Sequence, residues 1–311
     1  MEGKNICVVG IGGLGGYFGA KLAKAFEQSP DMNVSFVARG NHLKAIQEDG
    51  LTLMSPEFGV VNCKPAMATD KFKDLPKTDL FILAVKGYDL EETAVNLRDV
   101  VKEDTVVIPL LNGVDIYDRL KSIIKEGIIL PACVYITAYI EGPGITKHEG
   151  NPGRIVFGRD KQRPDFVPEA VIDIFNKANI NNVWRDDIES EIWEKFIFIA
   201  SFALVTAHYN KPMGDVLNDK TMREEAVAIM NEISGLTKKK GIAIPEGIVD
   251  ITLRKAAAFP YDTQSSLQRD INLKKAKNEL DAIGGVIVRQ GKELGLSTPV
   301  TERLYSSLKN M

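Results

Sequence analysis

Asn5-Ile6-Cys7-Val8-Val9-Gly10-Ile11-Gly12-Gly13-Leu14-Gly15-Gly16 decides the reading of this chain. Four consecutive apolar residues read as a buried strand, and Gly10, Gly12 and Gly15 keep the spacing G-x-G-x-x-G. Beyond them Ala20, Leu22, Ala23 and Phe26 recur at helical intervals, so a helix is expected over Gly15 to Glu27. In a strand–turn–helix setting each glycine has a task. The first permits the tight turn, the second lets backbone approach a pyrophosphate, and the third lets helix and strand pack closely, while the helix N-terminus offers amide donors. Gly10, Gly12, Gly13, Leu14 and Gly15 are therefore the candidate cofactor-binding residues, with Gly16 and Gly19 easing the packing. The alternative is a glycine-rich turn with no ligand.

The same alternation continues downstream. Strands are expected at Asn33 to Arg39, Asp79 to Lys86, Thr105 to Leu111 and Ile129 to Ile140, with a last one at Asn182 to Arg185. Leu51 to Thr69 carries Gly and Pro between alternating pieces and reads as an antiparallel excursion at the sheet edge. From Asp187 onward the pattern is helical: Ile188 to Ala207, Thr221 to Gly241, Pro245 to Ala258 and Asn272 to Leu294. The expected fold class is α/β, a Rossmann-type doubly wound sheet followed by an all-α C-terminal domain. Residues 1–186 form a dinucleotide-binding domain and 187–311 a helical substrate and catalytic domain.

Composition narrows the function classes. With 311 residues, 44% hydrophobic and 26% charged, the chain is long enough for two globular domains. Lys plus Arg number 39 against 42 Asp plus Glu, and no basic block stands out, which argues against nucleic acid. The longest apolar runs, Leu80 to Val85 and Phe196 to Ala207, fall short of the ~20 residues of a membrane span. No secretory signal pattern opens the chain, so a cytoplasmic location is expected. Cys7, Cys63 and Cys133 are odd in number and widely spaced, which fits small core residues better than a disulfide framework or a metal cage.

Other candidates stand at strand ends, where α/β sheets place their ligands. After the second strand an NAD-binding chain usually has an acid for the ribose hydroxyls. Here Val37-Ala38-Arg39-Gly40 offers a cation, which favours a 2′-phosphate and hence NADP(H). Lys86 closes Leu80 to Val85 and Asn112-Gly113 closes Val106 to Leu111, so both are expected beside the cofactor crevice. In the second half Lys195 precedes the apolar run Phe196 to Ala200. On the rim of a buried helix its ammonium would be partly desolvated and a readier proton donor, whereas the competing reading pairs it with Glu191 one turn away. Further on, Ser266 and Asp270 stand where they would cap the next helix, with Ser266 placed to bind an anion. Glu279 is expected on the last long helix.

These motifs together resemble the ketopantoate reductase (2-dehydropantoate 2-reductase) family almost end to end. The shared features are the Gly10 to Gly15 loop, Val37-Ala38-Arg39-Gly40, Ala84-Val85-Lys86, Leu111-Asn112-Gly113, Trp193-Glu194-Lys195, Ser265-Ser266 with Asp270, and Glu279-Leu280-Asp281 with Gly284-Gly285. The resemblance implies NADPH-dependent, metal-free reduction of 2-dehydropantoate to (R)-pantoate. It implies Lys195 as general acid, Glu279 as its orienting partner, Lys86 and Asn112 near nicotinamide and substrate, and Ser266 at the substrate carboxylate. Some positions depart from the pattern: Ile199 and Ala203 stand one and two turns after Lys195, where family members often carry asparagine, and Met213 falls where another asparagine is usual, with Asn210 close by. The segment between Ser266 and Glu279 is also one residue longer. A related 2-oxo acid or opine-type reductase is the runner-up, and a non-catalytic NADP(H)-binding protein the third reading. The expected partner is a small 2-oxo acid, and the helical half offers a surface for a homodimer.

Overall fold

A computed structural model describes residues 4–310, which fall into two units. One comprises the described residues through Leu111 together with Ile116–Ile188. The other comprises Asn112–Asp115 and the described residues from Glu189 onward. In the first unit the chain forms β1 (Lys4–Val9), α1 (Gly13–Phe26), β2 (Met32–Val37), α2 (Gly40–Asp49), β3 (Leu51–Ser55), β4 (Gly59–Cys63), β5 (Met67–Thr69) and β6 (Leu80–Leu83). It continues as α3 (Leu90–Arg98), β7 (Val106–Pro109), α4 (Ile116–Ile123), β8 (Ile128–Ile129), β9 (Ala132–Gly142), β10 (Ile145–Gly158), α5 (Glu169–Lys177) and β11 (Asn181–Arg185).

Six strands pair in parallel in the order β5-β2-β1-β6-β7-β8. The order runs outward from β1 in one direction and then from β6 in the other, so the ends of β1 and β6 flank the reversal at which doubly wound sheets hold their ligands. Ile6–Val9 of β1, together with β6 and β7, are apolar throughout because both faces are covered. Ile6, Val8, Leu80, Ile82, Val106 and Ile108 face one core, shared with Phe18 and Leu22 of α1 and with Phe157 and Phe175. Cys7, Val9, Phe81, Leu83 and Val107 face the other, against Leu90, Ala94 and Leu97 of α3 and Leu120 of α4. All three cysteines are buried thiols, as expected of core residues.

A second, mixed sheet in the order β11-β10-β3-β4, with β9 on β10, revises the expected topology. The excursion from Leu51 to Thr69 is shared out: the β3–β4 hairpin joins this second sheet, and only β5 extends the parallel one. The stretch Ile129 to Ile140 is two strands in two sheets, broken around Pro131, a residue with no N–H for a ladder. Strand β10 and helix α5 lie outside the expected elements.

The second unit is helical: α6 (Ile188–Tyr209), α7 (Met213–Asn218), α8 (Lys220–Lys240), α9 (Ile248–Ala257), α10 (Ser266–Asn272), α11 (Val286–Leu294) and α12 (Pro299–Lys309). Its core gathers Trp193, Phe196, Ile197, Ala200 and Leu204 of α6 with Ile229, Ile233, Ile287 and Leu304. The expected helix from Asn272 to Leu294 is interrupted. Lys274 takes a left-handed φ of 49°, Lys275 folds back onto Asp270 at 2.6 Å, and a π-helical turn over Asp281–Gly285 precedes α11. No described helix is long and apolar enough to cross a membrane.

One buried ion pair braces the first unit. Asp160, fully buried, accepts from Lys121 Nζ at 2.9 Å, Tyr117 Oη at 2.6 Å and the amides of Ile129 and Gln162, both at 2.9 Å. Burial by itself would raise the carboxyl pKa, but the Lys121 ammonium, the Tyr117 hydroxyl and the amides outweigh it and hold the group below its ordinary value. Asp160→Asn should lower stability by about 3–5 kcal/mol, because it strands a buried ammonium. A depressed carboxyl contributes stability present above its unfolded pKa of about 3.9 and lost as pH falls through the folded value. In urea unfolding, the gap between wild type and variant should therefore be full at pH 7 and shrink below about pH 4.

Candidate active site

The glycine loop closes directly behind β1. Gly10 has φ +90°, and a Cβ there would lie 2.8 Å from the amide nitrogen of Val85, so conformation and space both demand glycine. A Cβ on Gly15 would fall 2.0 Å from the Gly10 carbonyl oxygen, the close helix–strand approach expected of the third glycine. Gly13 and Gly16 are tight for a different reason: added Cβ atoms would meet the Ala138 carbonyl oxygen at 2.2 Å and Thr146 Oγ1 at 2.0 Å, both in the second sheet. Gly12 differs from all of these. A Cβ there would meet nothing within 4 Å, and as N-cap of α1 it brings no side-chain acceptor to the helix start. The first-turn amides, those of Gly13, Leu14 and Gly15 among them, thus border open space that a side chain at Gly12 would fill, which fits a pyrophosphate.

Two cations stand near the strand ends. Lys86 follows β6 in extended conformation, exposed, and its carbonyl accepts from the Asp89 amide at 2.9 Å. Arg39 is the N-cap residue of α2 just beyond β2, with its side chain 66% exposed. Its guanidinium donates to Asp89 Oδ2 at 2.6 Å, a partner 50 residues away that sequence reading missed. An exposed guanidinium beyond β2 fits a nucleotide phosphate.

In the helical unit, Lys195 lies in the second turn of α6, half-buried, between Trp193 and Phe196, both buried. Its Nζ donates to Asn112 Oδ1 at 2.9 Å. Asn112 belongs to this unit through the segment Asn112–Asp115, whose Val114 packs on the helical core. The fold thus joins two sequence-predicted residues 83 positions apart. Ile199 is half-buried and Ala203 buried on the following turns of α6.

The remaining predicted residues are placed differently from expectation. Ser265, rather than Ser266 or Asp270, caps α10: its Oγ accepts from the Gln268 amide at 3.1 Å and from Thr206 Oγ1 at 2.8 Å. Ser266 is the first residue of that helix, half-buried, and Asp270 is engaged by Lys275. Glu279 precedes the π-helical turn instead of riding on a long helix. It is buried, and its carbonyl accepts from the Ile283 amide at 3.0 Å. The Thr206–Ser265 bond was not read from the sequence, where two adjacent serines are equivalent candidates.

The two kinds of glycine give a direct test. Gly12→Ala should cost under about 1 kcal/mol of stability, since only a cap preference changes, yet weaken dinucleotide binding at least about tenfold. Gly15→Ala should lower the Tm outright, because α1 must move off β1. Thermal unfolding and fluorescence titration of the two variants separate the effects.

The family model described as "Ketopantoate reductase PanE/ApbA" matches residues 6–162, and its C-terminal companion matches 187–311. The chain is 27% identical over 303 residues to an uncharacterized oxidoreductase of Bacillus subtilis, covering 97% of each. Among solved structures it is similar to a PanE/ApbA family ketopantoate reductase from Ralstonia eutropha, at 25% identity, TM-score 0.88, and 98% and 97% coverage of the two chains. A D-mandelate dehydrogenase solved with NADH and anilino(oxo)acetate shares the fold, at 21% identity, TM-score 0.85, and 98% and 97% coverage. With both halves matched, this chain belongs to the ketopantoate reductase family of oxidoreductases.

Proposed function

We propose that this protein reduces the ketone of a small 2-oxo acid, 2-dehydropantoate first among them, with NADPH as hydride donor and Lys195 as the acid. The observation that carries the reading is the Lys195–Asn112 bond. A neutral amide oxygen aims the ammonium without neutralising it. It also uses one of the three N–H donors of a group that must deliver a proton. NADPH, when bound, supplies two electrons as hydride to the carbonyl carbon. The carbonyl π pair then moves to oxygen, and Lys195 Nζ gives that oxygen its proton as the charge develops, leaving a neutral amine to be reprotonated from solvent. Asn112 keeps Nζ in register during this transfer. Glu279 orients the ammonium, and Ser266 and Lys86 hold the substrate carboxylate and the cofactor side of the site.

In this reading residues 1–186 bind the dinucleotide, through Gly10 to Gly15 and Arg39, and residues 187–311 carry substrate and acid. The open space over Gly12 and the exposed guanidinium of Arg39 support NADPH.

A second substrate reading rests on Ile199 and Ala203. Four and eight residues after Lys195, they give its face of α6 an apolar continuation, suited to a 2-oxo acid whose side chain lacks the hydroxyl of 2-dehydropantoate. Rates on 2-dehydropantoate, 2-oxoisovalerate and phenylglyoxylate rank the two readings.

Lys195→Ala should lower kcat by about 10²–10⁴-fold while the Kd for NADPH changes less than about twofold. Asn112→Ala should lower kcat by a smaller factor. Stopped-flow NADPH oxidation with nucleotide titration checks both, and near-wild-type turnover in Lys195→Ala would remove the acid from the mechanism.

A further inference from the structure

Chains that take NAD mark the end of the second strand with a carboxylate that accepts from the ribose hydroxyls, and those that take NADP mark it with a cation. Along the sequence, this chain has only the cation there, Arg39. In the folded unit a carboxylate is delivered to the same place from elsewhere: Asp89, in the short 3₁₀ turn Gly87–Asp89 after β6, lies 2.6 Å from the Arg39 guanidinium. The acid is fixed there. Its side chain is only 10% exposed against 66% for Arg39, and its amide is bonded back to the Lys86 carbonyl. Arg119 braces the same turn, donating to the Gly87 carbonyl at 2.9 Å while its Nε holds Glu91 at 2.7 Å. Glu92 adds a second negative field at Arg39.

Resting on the dinucleotide reading of the glycine loop, we propose that Asp89 is a cofactor-specificity residue that limits the preference for the 2′-phosphate and admits NADH beside NADPH. A 2′-phosphate approaching Arg39 meets a guanidinium already paired and a carboxylate that repels it, so the cation is worth less to the phosphate than an unpaired one. A ribose carrying a free 2′-hydroxyl meets instead an acceptor of the kind NAD sites use. The pair sets the balance: Arg39 draws the phosphate and Asp89 subtracts from that attraction.

The test compares Kd values of 2′,5′-ADP and 5′-AMP, which differ only in the 2′-phosphate, and of NADPH and NADH, by calorimetry and intrinsic fluorescence. In the wild type the phosphate should improve affinity by less than about tenfold. Asp89→Asn should widen that ratio at least about fivefold, Asp89→Glu should keep it near wild type, and Arg39→Ala should bring it to about one or below. Far-UV circular dichroism and Tm confirm folding, and the wild-type ratio needs no variant at all. A wild-type preference above about a hundredfold, or an unchanged or narrower ratio in folded Asp89→Asn, overturns the role of Asp89 while leaving dinucleotide binding intact. Failure of the wild type to bind either dinucleotide overturns both readings.

Discussion

Helix α1 runs so close behind β1 that the Gly10 carbonyl oxygen would sit 2.0 Å from a side chain at position 15. That approach fixes the surroundings of the glycine loop. It points the first turn of α1 toward the ends of β1 and β6, and it brings Gly13 and Gly16 against Ala138 and Thr146 of the second sheet. One helix is thereby held on both sides by close contacts that tolerate no larger residue. Gly12, the loop glycine under no such pressure, is the one whose missing side chain leaves open space at the start of α1.

Charge is handled in opposite ways in two places of the first unit. Asp160 is buried with Lys121, its oxygens engaged by protein donors, and no phosphate or ribose can compete for partners so enclosed; the pair is structural. Arg39 and Asp89 form a pair whose cation faces solvent, where screening weakens the attraction. Lys195 shows a third arrangement, its ammonium donating to the neutral amide oxygen of Asn112 at 2.9 Å.

The parallel sheet was legible because buried strands announce themselves: Ile6 to Val9 and Leu80 to Leu83 are apolar without interruption, and both their faces prove to be covered. Strand β10 was not, since Gly150-Asn151-Pro152-Gly153 lies in its middle and reads as a turn, whereas the structure absorbs it as an irregularity between Glu149 and Arg154. The break after Asn272 was equally hidden. Leu273-Lys274-Lys275-Ala276-Lys277 has good helix propensity, and what ends the helix is the return of Lys275 to Asp270, together with the Asn278 side chain accepting from the Leu280 amide. Between Ser265 and Ser266 only coordinates choose the cap, because neighbouring serines carry the same local signal.

Local order along the chain therefore determined the doubly wound sheet, the glycine loop and the helical second half. Each of these rests on residues within a few positions of one another, where periodicity and backbone sterics act directly. Tertiary structure alone decided which partners meet across 83 and 50 residues: Asn112 with Lys195, and Asp89 with Arg39. Such pairings depend on where whole strands and helices come to lie, and side-chain spacing carries no record of that.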